Sequence, residues 1–333
     1  MARACVAVTG ASGFIGGHVT RALIEKGFRV RALIRRPPTV LTTGEGASDD
    51  IAWVKGSLDD MAALENLVSG ADAVIHLAGA IKALRRAEFF HHNVKGLGNL
   101  TAAILAAAPR CRLVHVSSLA AREPGLSDYA ASKRAAEQAL RPLAGRMALA
   151  VLRLPAVYGP GDMETLRLFK MAASGWVMVP AMAHARMSLI HAADAAAAIV
   201  ALVHAPGPGA ISDTPASGPE PIEVDDGAPG GHDWAAIAAA AIAAARPDTR
   251  SKARIVAVPM PVLRLAGLVG SAVALVTGRP SLLSWSKAAE MAHPDWCART
   301  TPIAGFQPRW SLGNGFKDAV NWAVSRGLLK SYS

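Results

Sequence analysis

The chain has 333 residues, of which 52% are apolar and 18% charged, and these proportions exclude an intrinsically disordered protein. Its cysteines, Cys5, Cys111 and Cys297, lie far apart and form no C-x-x-C pair, which argues against a zinc module and a disulfide scaffold, so no metal is expected. The net charge of +10 favours anionic partners, but scattered basic residues and an aromatic content of 5% argue against nucleic-acid binding.

No secretory signal and no transmembrane span are predicted. Only Cys5–Val8 separate Arg3 from a glycine-rich run, which is too short for the apolar region of a signal peptide. The charge-free apolar stretch Leu265–Thr277 is shorter than the roughly 20 residues that a membrane span needs, and predicts a buried or interfacial helix. We therefore expect a cytoplasmic protein, with peripheral membrane contact as an open alternative.

Strand and helix patterns alternate over the first half of the chain. Short β-branched runs predict strands at Cys5–Val8, Phe28–Ile34, Ile51–Val54, Ala73–Leu77, Leu113–Val116 and Leu149–Leu154. The intervening segments predict helices at Gly13–Lys26, Met61–Ser69, Glu88–Ala107 and Tyr129–Leu143. This alternation predicts an α/β fold, a doubly wound parallel sheet of the Rossmann type.

The second half is less regular and predicts a smaller substrate lobe. The segment Pro206–His232 is rich in Pro, Gly and Asp and holds one short strand pattern, Ile222–Val224. An alanine-rich helix capped by Asp233 is predicted at Asp233–Ala245. We expect a dinucleotide-binding domain at 1–155, to which a later segment at about 187–205 returns, and a substrate lobe formed mainly by 156–333.

A glycine-rich turn joins the first strand to the first helix. Gly10 allows a backbone turn, Gly13 lets a pyrophosphate approach the helix N-terminus, and Gly16 allows close packing of helix on strand. The alternative is an ordinary glycine-rich turn. The strand–turn–helix context favours dinucleotide binding by the loop residues Gly10, Ser12, Gly13, Phe14, Ile15 and Gly16.

The end of the second strand indicates which dinucleotide is bound. An acidic residue at this position would accept hydrogen bonds from the ribose hydroxyls of NAD, but the strand ends in Arg35 and Arg36. Guanidinium groups suit the 2′-phosphate of NADP, so NADP is favoured over NAD. The alternative is that both arginines are solvated charges at a strand end.

Tyr129 and Lys133 are four residues apart and share one face of a predicted helix. The ammonium favours the tyrosinate, so Tyr129 can exchange a proton with an alcohol or carbonyl oxygen. The preceding strand ends in Ser117 and Ser118, and a hydroxyl there can polarise a carbonyl group. We predict Ser118 for this role, with Ser117 as the alternative.

These motifs resemble those of the extended short-chain dehydrogenases/reductases, the NAD(P)-dependent epimerase/dehydratase family. The matching segments are Thr9–Gly16, His76–Gly79, Asn93–Gly96, Asn99-Leu100, Ser117-Ser118, Tyr129 with Lys133, Arg153–Gly161 and Ser188–Asp194. The C-terminal half is similar to the dihydroflavonol-reductase and 3β-hydroxysteroid-dehydrogenase branch. There, the apolar segment Val262–Val276 is interpreted either as the wall of a lipophilic substrate site or as core.

The resemblance implies a catalytic triad of Ser118, Tyr129 and Lys133, with Lys133 also binding the nicotinamide ribose and Asn93 supporting the active-site helix. It implies further cofactor contacts at Ser57, Leu58, Leu77, Ala78, Gly79, Pro155 and Val157. In this family an Asp often stands at the position of Ser57. The short separation of Ser118 and Tyr129 departs from the sugar-nucleotide epimerases.

We therefore expect an NADP-dependent oxidoreductase acting on the carbonyl or alcohol of a small, apolar substrate, with Tyr129 as general acid/base. One alternative is a sugar-nucleotide epimerase or dehydratase that recycles a bound cofactor. A second is a non-catalytic, NADP-binding structural or regulatory subunit, against which the complete Ser118, Tyr129 and Lys133 set argues. A homodimer is one open alternative for the oligomeric state.

Overall fold

A computed structural model describes residues 3–36, 50–204, 219–247, 254–278 and 284–330. The strands are β1 (Cys5–Thr9), β2 (Arg29–Ile34), β3 (Ile51–Lys55), β4 (Ala73–His76), β5 (Arg112–Ser118), β6 (Leu149–Leu154), β7 (Ala156–Tyr158), β8 (Trp176–Pro180), β9 (Arg186–Met187), β10 (Leu189–His191), β11 (Ile222–Glu223), β12 (His232–Asp233), β13 (Arg254–Val258) and β14 (Asp295–Trp296).

The α-helices are α1 (Phe14–Glu25), α2 (Met61–Val68), α3 (Arg86–Phe90), α4 (Gly96–Ala107), α5 (Asp128–Leu140), α6 (Thr165–Ala173), α7 (Ala192–His204), α8 (Trp234–Ala245), α9 (Met260–Thr277), α10 (Trp285–Met291) and α11 (Leu312–Ser325). A π-helical turn, His91–Lys95, joins α3 to α4. Short 3-10 turns follow β5 and α5.

The chain divides into two compact units. The first comprises the described residues of Met1–Leu154, Ala195–Glu223 and Thr301–Gln307, and the second comprises those of Pro155–Asp194, Val224–Thr300 and Pro308–Ser333. The assignment of these units as cofactor domain and substrate lobe stays a prediction.

A seven-stranded parallel sheet organises the first unit. Its strand order is β11-β6-β5-β4-β1-β2-β3. Successive strands are added toward one edge from β1 to β3 and toward the other edge from β4 onward, so the strand order reverses between β1 and β4. Strands buried on both faces explain the continuous apolar runs, and β1 is fully buried along its length. Helices α2, α4 and α5 contribute buried side chains such as Leu64, Leu100 and Leu140 to one core. This confirms the prediction of a doubly wound α/β fold. Sheets of this kind bind ligands at the point where the strand order reverses, which here lies between β1 and β4.

The second unit has its own core of aromatic and alanine side chains. The rings of Tyr158 and Phe316 meet edge to face with centroids 4.9 Å apart, and Phe169 and Phe316 do so at 5.1 Å. Alanines of α8 pack beside them. Three small sheets, β10-β7, β12-β9-β14 and β13-β8, complete the unit within the part of the chain that is described.

Helix α9 contradicts one of the two interpretations of the segment Val262–Val276. Of its described residues only Gly267 and Ala274 are buried, while its large apolar side chains are exposed. The core interpretation is therefore wrong, because the packed face of the helix consists of small residues. Among the described residues, α9 is the one helix that has the length and mean hydropathy of a membrane span.

Candidate functional site

The glycine loop between β1 and α1 is held in a conformation that requires glycine. Gly10 has a φ of +78°, and a Cβ there would lie 2.7 Å from the backbone nitrogen of Ala78, after β4. A Cβ on Gly16 would overlap the carbonyl oxygen of Gly10. The Gly13 N–H donates to that same oxygen at 3.0 Å. The loop thus lies tightly against the segment that follows β4.

The N-terminus of α1 is suited to an anion. Its N-cap, Gly13, provides no side-chain cap, and its first turn contains no acidic residue. By contrast, α2, α5 and α8 are capped by the side chains of Asp60, Ser127 and Asp233. The first backbone N–H groups of α1 therefore face no carboxylate of the helix itself, and the helix dipole favours a negative charge there. These features fit the pyrophosphate of a dinucleotide.

Asn93 connects the segment after β4 to the start of α5. Its amide nitrogen donates to the Ala80 oxygen at 3.0 Å and to the Ser132 hydroxyl at 2.8 Å, and its Oδ1 accepts from the Ala80 N–H at 2.7 Å. Ser132 in turn donates to the backbone oxygen of Tyr129 at 2.7 Å. The buried Asn93 therefore lies where it can hold the first turn of α5, although its functional role stays a prediction.

Tyr129 and Lys133 occupy consecutive turns of α5, as their spacing predicts. Tyr129 is half-buried, and its ring centroid lies 6.3 Å from that of Phe89. Lys133 is buried, and its Nζ donates to the Val116 oxygen of β5 at 2.8 Å. Burial lowers the pKa of Lys133 to about 8, although the carboxylate of Glu137 acts in the opposite direction. A lysine titrating there still carries its charge at neutral pH.

The two candidate serines differ in their partners because successive side chains of a strand point to opposite faces. Ser117 is buried and donates to Glu137 Oε1 at 2.6 Å. Ser118 is half-buried at the carboxyl end of β5, where its Oγ accepts from the Ala120 N–H at 3.2 Å. Ser117 therefore belongs to a buried polar network, whereas the role of Ser118 toward a substrate stays a prediction.

That network was not anticipated from the sequence. Arg153 of β6 binds Glu137 through two hydrogen bonds of 2.8 and 2.6 Å, and binds Glu223 of β11 at 3.2 Å. The two carboxylates and the guanidinium are all buried. A second arginine, Arg122, lies 3.5 Å from Glu223. The sequence signal was weak: Glu137 follows Lys133 by one helical turn, but its partners are distant in the chain.

A second unanticipated feature is a pair of buried histidines on the neighbouring strands β4 and β5. His76 of β4 and His115 of β5 are paired in register, and their rings stack with centroids 5.4 Å apart. Thr9 Oγ1 lies 2.7 Å from His76 Nδ1. Burial, with a smaller contribution from the Lys133 charge, lowers the pKa of His76 to about 3 and also lowers the pKa of His115 well below its ordinary value. Both rings are therefore neutral in the folded protein.

This pair predicts a loss of stability in mild acid. In the unfolded chain each histidine binds a proton near pH 6.5, whereas in the folded protein both side chains stay neutral at that pH. The free energy of unfolding therefore falls as the pH drops below that value. For His76 the loss is about 2 kcal/mol at pH 5. We expect His76→Gln/His115→Leu to reduce this loss, measured by urea unfolding at pH 7 and pH 5. The exposed His184→Gln should leave it unchanged. An identical pH dependence in the double variant and the wild type would contradict the assignment.

The remaining predicted cofactor-binding residues lie in four separate segments of the chain. Arg35 and Arg36 are exposed immediately after β2, which neighbours β1 in the sheet. Ser57 accepts from the Asp59 N–H at 3.2 Å, and the Leu58 oxygen accepts from the Asn99 side chain at 2.7 Å. The backbone of Leu77 and Ala78 lies against Gly10 of the glycine loop, and Gly79 lies against the side chain of Asn93. Pro155 and Val157 belong to the second unit, where β7 pairs with β10. Their roles in cofactor binding stay predictions.

Comparisons with known proteins show which family and which fold this chain shares. The chain is 39% identical to a ceramide reductase of Caulobacter vibrioides over 98% of this chain and 97% of that protein. It is 32% identical to a 2-alkyl-3-oxoalkanoate reductase of Stenotrophomonas maltophilia over 51% of this chain and 56% of that protein. The fold is shared with a UDP-glucose 4-epimerase of Thermotoga maritima (TM-score 0.68, 18% identity, 97% and 99% coverage).

Another structure with this fold, MoeE5 in complex with UDP-glucose and NAD, has a TM-score of 0.61 at 23% identity, with 98% and 99% of the two chains covered. Residues 6–212 match the family model described as the NAD dependent epimerase/dehydratase family. Together with the glycine loop and the Tyr129 and Lys133 helix, these matches identify an oxidoreductase of the extended short-chain type that uses a nicotinamide cofactor. The chain belongs to the NAD-dependent epimerase/dehydratase family.

Proposed function

We propose that this protein is an NADP-dependent reductase that converts a ketone on a long-chain, ceramide-like lipid to a secondary alcohol. The observation that carries the proposal is the 39% identity to a ceramide reductase over nearly the whole of both chains. The 2-alkyl-3-oxoalkanoate reductase supports a ketone as the reacting group, because its name denotes a ketone on an alkyl-bearing substrate. Cytoplasmic location is part of the proposal.

The reaction needs a hydride for the carbonyl carbon and a proton for its oxygen. A bound nicotinamide dinucleotide supplies the hydride. Ser118 donates a hydrogen bond to the substrate oxygen, and Tyr129 gives that oxygen its proton. The buried charge of Lys133 stabilises the tyrosinate that remains. Asn93, through Ser132, keeps the first turn of α5 in position. Each role is proposed from the residue type and its position in the first unit.

Arg35 is proposed to bind the 2′-phosphate that distinguishes NADP from NAD. It is exposed at the carboxyl end of β2, and a charge-assisted hydrogen bond is worth roughly 1.5–3 kcal/mol. This corresponds to a preference of roughly ten- to hundredfold for NADPH over NADH. We expect Arg35→Asp to reverse the preference, because a carboxylate repels the phosphate and binds the free hydroxyl.

The measurement is a fluorescence titration of each variant with both reduced cofactors. Arg29→Asp is the matched control, since Arg29 is exposed at the opposite end of the same strand. Equal or tighter binding of NADH by the wild type would refute the choice of NADP. If Arg35→Asp and Arg29→Asp behaved alike, the effect would come from net charge and not from a contact with the phosphate.

The substrate class is tested by following the oxidation of NADPH with candidate ketones. Long-chain keto-ceramide analogues in detergent should each consume NADPH in proportion to the alcohol formed. UDP-sugars should consume none. Interconversion of UDP-sugars without net consumption of cofactor, together with no reduction of the lipid ketones, would instead establish the epimerase alternative.

A further inference from the structure

The outward face of α9 consists of large apolar side chains that nothing in the described part of the chain covers. Leu265, Val269 and Val276 are 62%, 56% and 88% exposed. Val262, Leu268, Val273 and Leu275 are exposed on the same helix. A surface helix of a globular protein ordinarily turns its apolar face inward, and α9 has the opposite orientation.

The inward face of α9 explains this orientation. It carries Gly267 and Ala274, which are buried at a spacing of two helical turns. A Cβ on Gly267 would lie 2.9 Å from the Ser284 oxygen and 3.0 Å from the Ala288 side chain, so α10 packs directly on this small-residue face. The Trp285 N–H also donates to Ser271 at 2.9 Å. The apolar arc is therefore fixed outward by close packing behind it.

The charges around α9 indicate what covers the arc. From residue 249 to residue 289 the sequence contains no Asp or Glu, but it contains the basic residues Arg250, Lys252, Arg254, Arg264, Arg279 and Lys287. Trp285, at the start of α10, is 52% exposed. Of these basic residues, Arg264 is exposed on α9 itself and Lys287 on α10, which packs on it. Basic side chains on the helices that carry an apolar face, together with an exposed tryptophan, are typical of segments that bind the surface of an anionic bilayer.

We propose that α9 docks this protein on the surface of an anionic phospholipid membrane, with its apolar arc in the headgroup–acyl boundary. A span is disfavoured because α10, which packs on the middle of α9, carries Lys287 and Glu290 and would enter the hydrocarbon with it. A second copy of the chain is a poorer occupant, since it would bring a second set of like charges to the same face.

This docking gives the proposed function access to its substrate, and in that respect it rests on that function. A long-chain lipid ketone resides in a bilayer, so an enzyme held at the bilayer surface meets it there. The docking itself is measured without catalysis, and catalysis can be measured on a water-soluble short-chain ketone without docking. Failure of one proposal is therefore distinguishable from failure of the other.

The experiment is vesicle flotation of the full chain. The wild type should float with vesicles of phosphatidylcholine and phosphatidylglycerol, float less with phosphatidylcholine alone, and be released by high salt. Leu265→Glu/Val269→Glu should lower the partition coefficient about tenfold or more, because two apolar groups are lost from the boundary. Val276→Glu, a single change at the most exposed of these positions, should lower it in the same direction without a loss of folding.

The charge-matched control is Ala62→Glu/Ala102→Glu, at exposed positions of α2 and α4, which should float like the wild type. The proposal is overturned if the wild type floats with neither vesicle, or if the α9 variants float unchanged. It is also overturned if the bound protein resists extraction by alkaline carbonate, which indicates a span. Dimerisation that the α9 double variant abolishes, without vesicle binding, would identify a second copy as the occupant.

Discussion

Replacing Tyr129 by Phe is expected to lower kcat by roughly a hundredfold to ten-thousandfold, the range typical of a lost general acid. The ring contact with Phe89 and the hydrogen bond from Ser132 to the backbone oxygen do not involve the phenolic hydroxyl, so the local structure should persist. NADPH affinity should change by less than about threefold, since the binding loop lies after β1. Steady-state kinetics and a cofactor titration on the same preparation test both expectations.

Tyr158→Phe is the matched control for the loss of one hydroxyl. Tyr158 is fully buried in the second unit, and its hydroxyl has no hydrogen-bond partner among the described residues. Its removal should leave kcat unchanged. Retained turnover in Tyr129→Phe would refute the acid/base role, whereas loss of NADPH binding in that variant would show that the substitution had disturbed the cofactor site.

The sheet could be predicted from the sequence because buried parallel strands produce continuous apolar runs. The six main strands lie where the β-branched runs predicted them, to within two residues at either end. The largest extension is at β5, which continues to Ser118 since its pairing with β6 extends to the match of Ser118 with Leu154. The spacing of the glycines identified the β1–α1 loop, because the close backbone contacts at Gly10 and Gly16 leave no room for a Cβ atom and so require glycine.

The helix predicted at Glu88–Ala107 differs in an instructive way. It begins at Arg86 and is interrupted by the π-helical turn His91–Lys95, which contains Asn93. A π turn adds one residue, which rotates the following side chains by roughly 100° about the helix axis, but the α-helical segment before it is too short for the sequence to reveal that shift. Such turns are frequent at functional sites. Here the turn contains the side chain that is hydrogen-bonded to both Ala80 and Ser132.

Contacts between distant residues explain what the sequence could not reveal. The histidine stack and the Arg153 network join residues that are at least 16 positions apart in the chain, and no local pattern marks their pairing. The exposure of α9 is a related case. An apolar helix pattern predicts that one face is covered, but it does not indicate whether protein or another medium covers it.

The Arg153 network leads to the second large effect, on stability. Arg153→Met is expected to lower the free energy of unfolding by about 3–5 kcal/mol, because it leaves the buried carboxylates of Glu137 and Glu223 without their shared guanidinium. Arg167→Met is the matched control: Arg167 forms an exposed pair with Glu164 at 3.1 Å, and its loss should cost less than about 1 kcal/mol. Urea unfolding at pH 7 measures both values.

A third variant separates the ion pair from simple loss of packing. In Arg153→Met/Glu137→Met both charges of the closest pair are replaced by apolar side chains, so no unpaired carboxylate remains on α5. We expect this double variant to be more stable than Arg153→Met alone, since removing one partner of a buried pair costs more than removing both. If the second substitution destabilised the protein further, packing of the two side chains, and not their charge, would hold β6 against α5. The Ser117 hydroxyl, which donates to Glu137, loses this partner in the double variant whatever the outcome, and Ser117→Ala measures that cost independently.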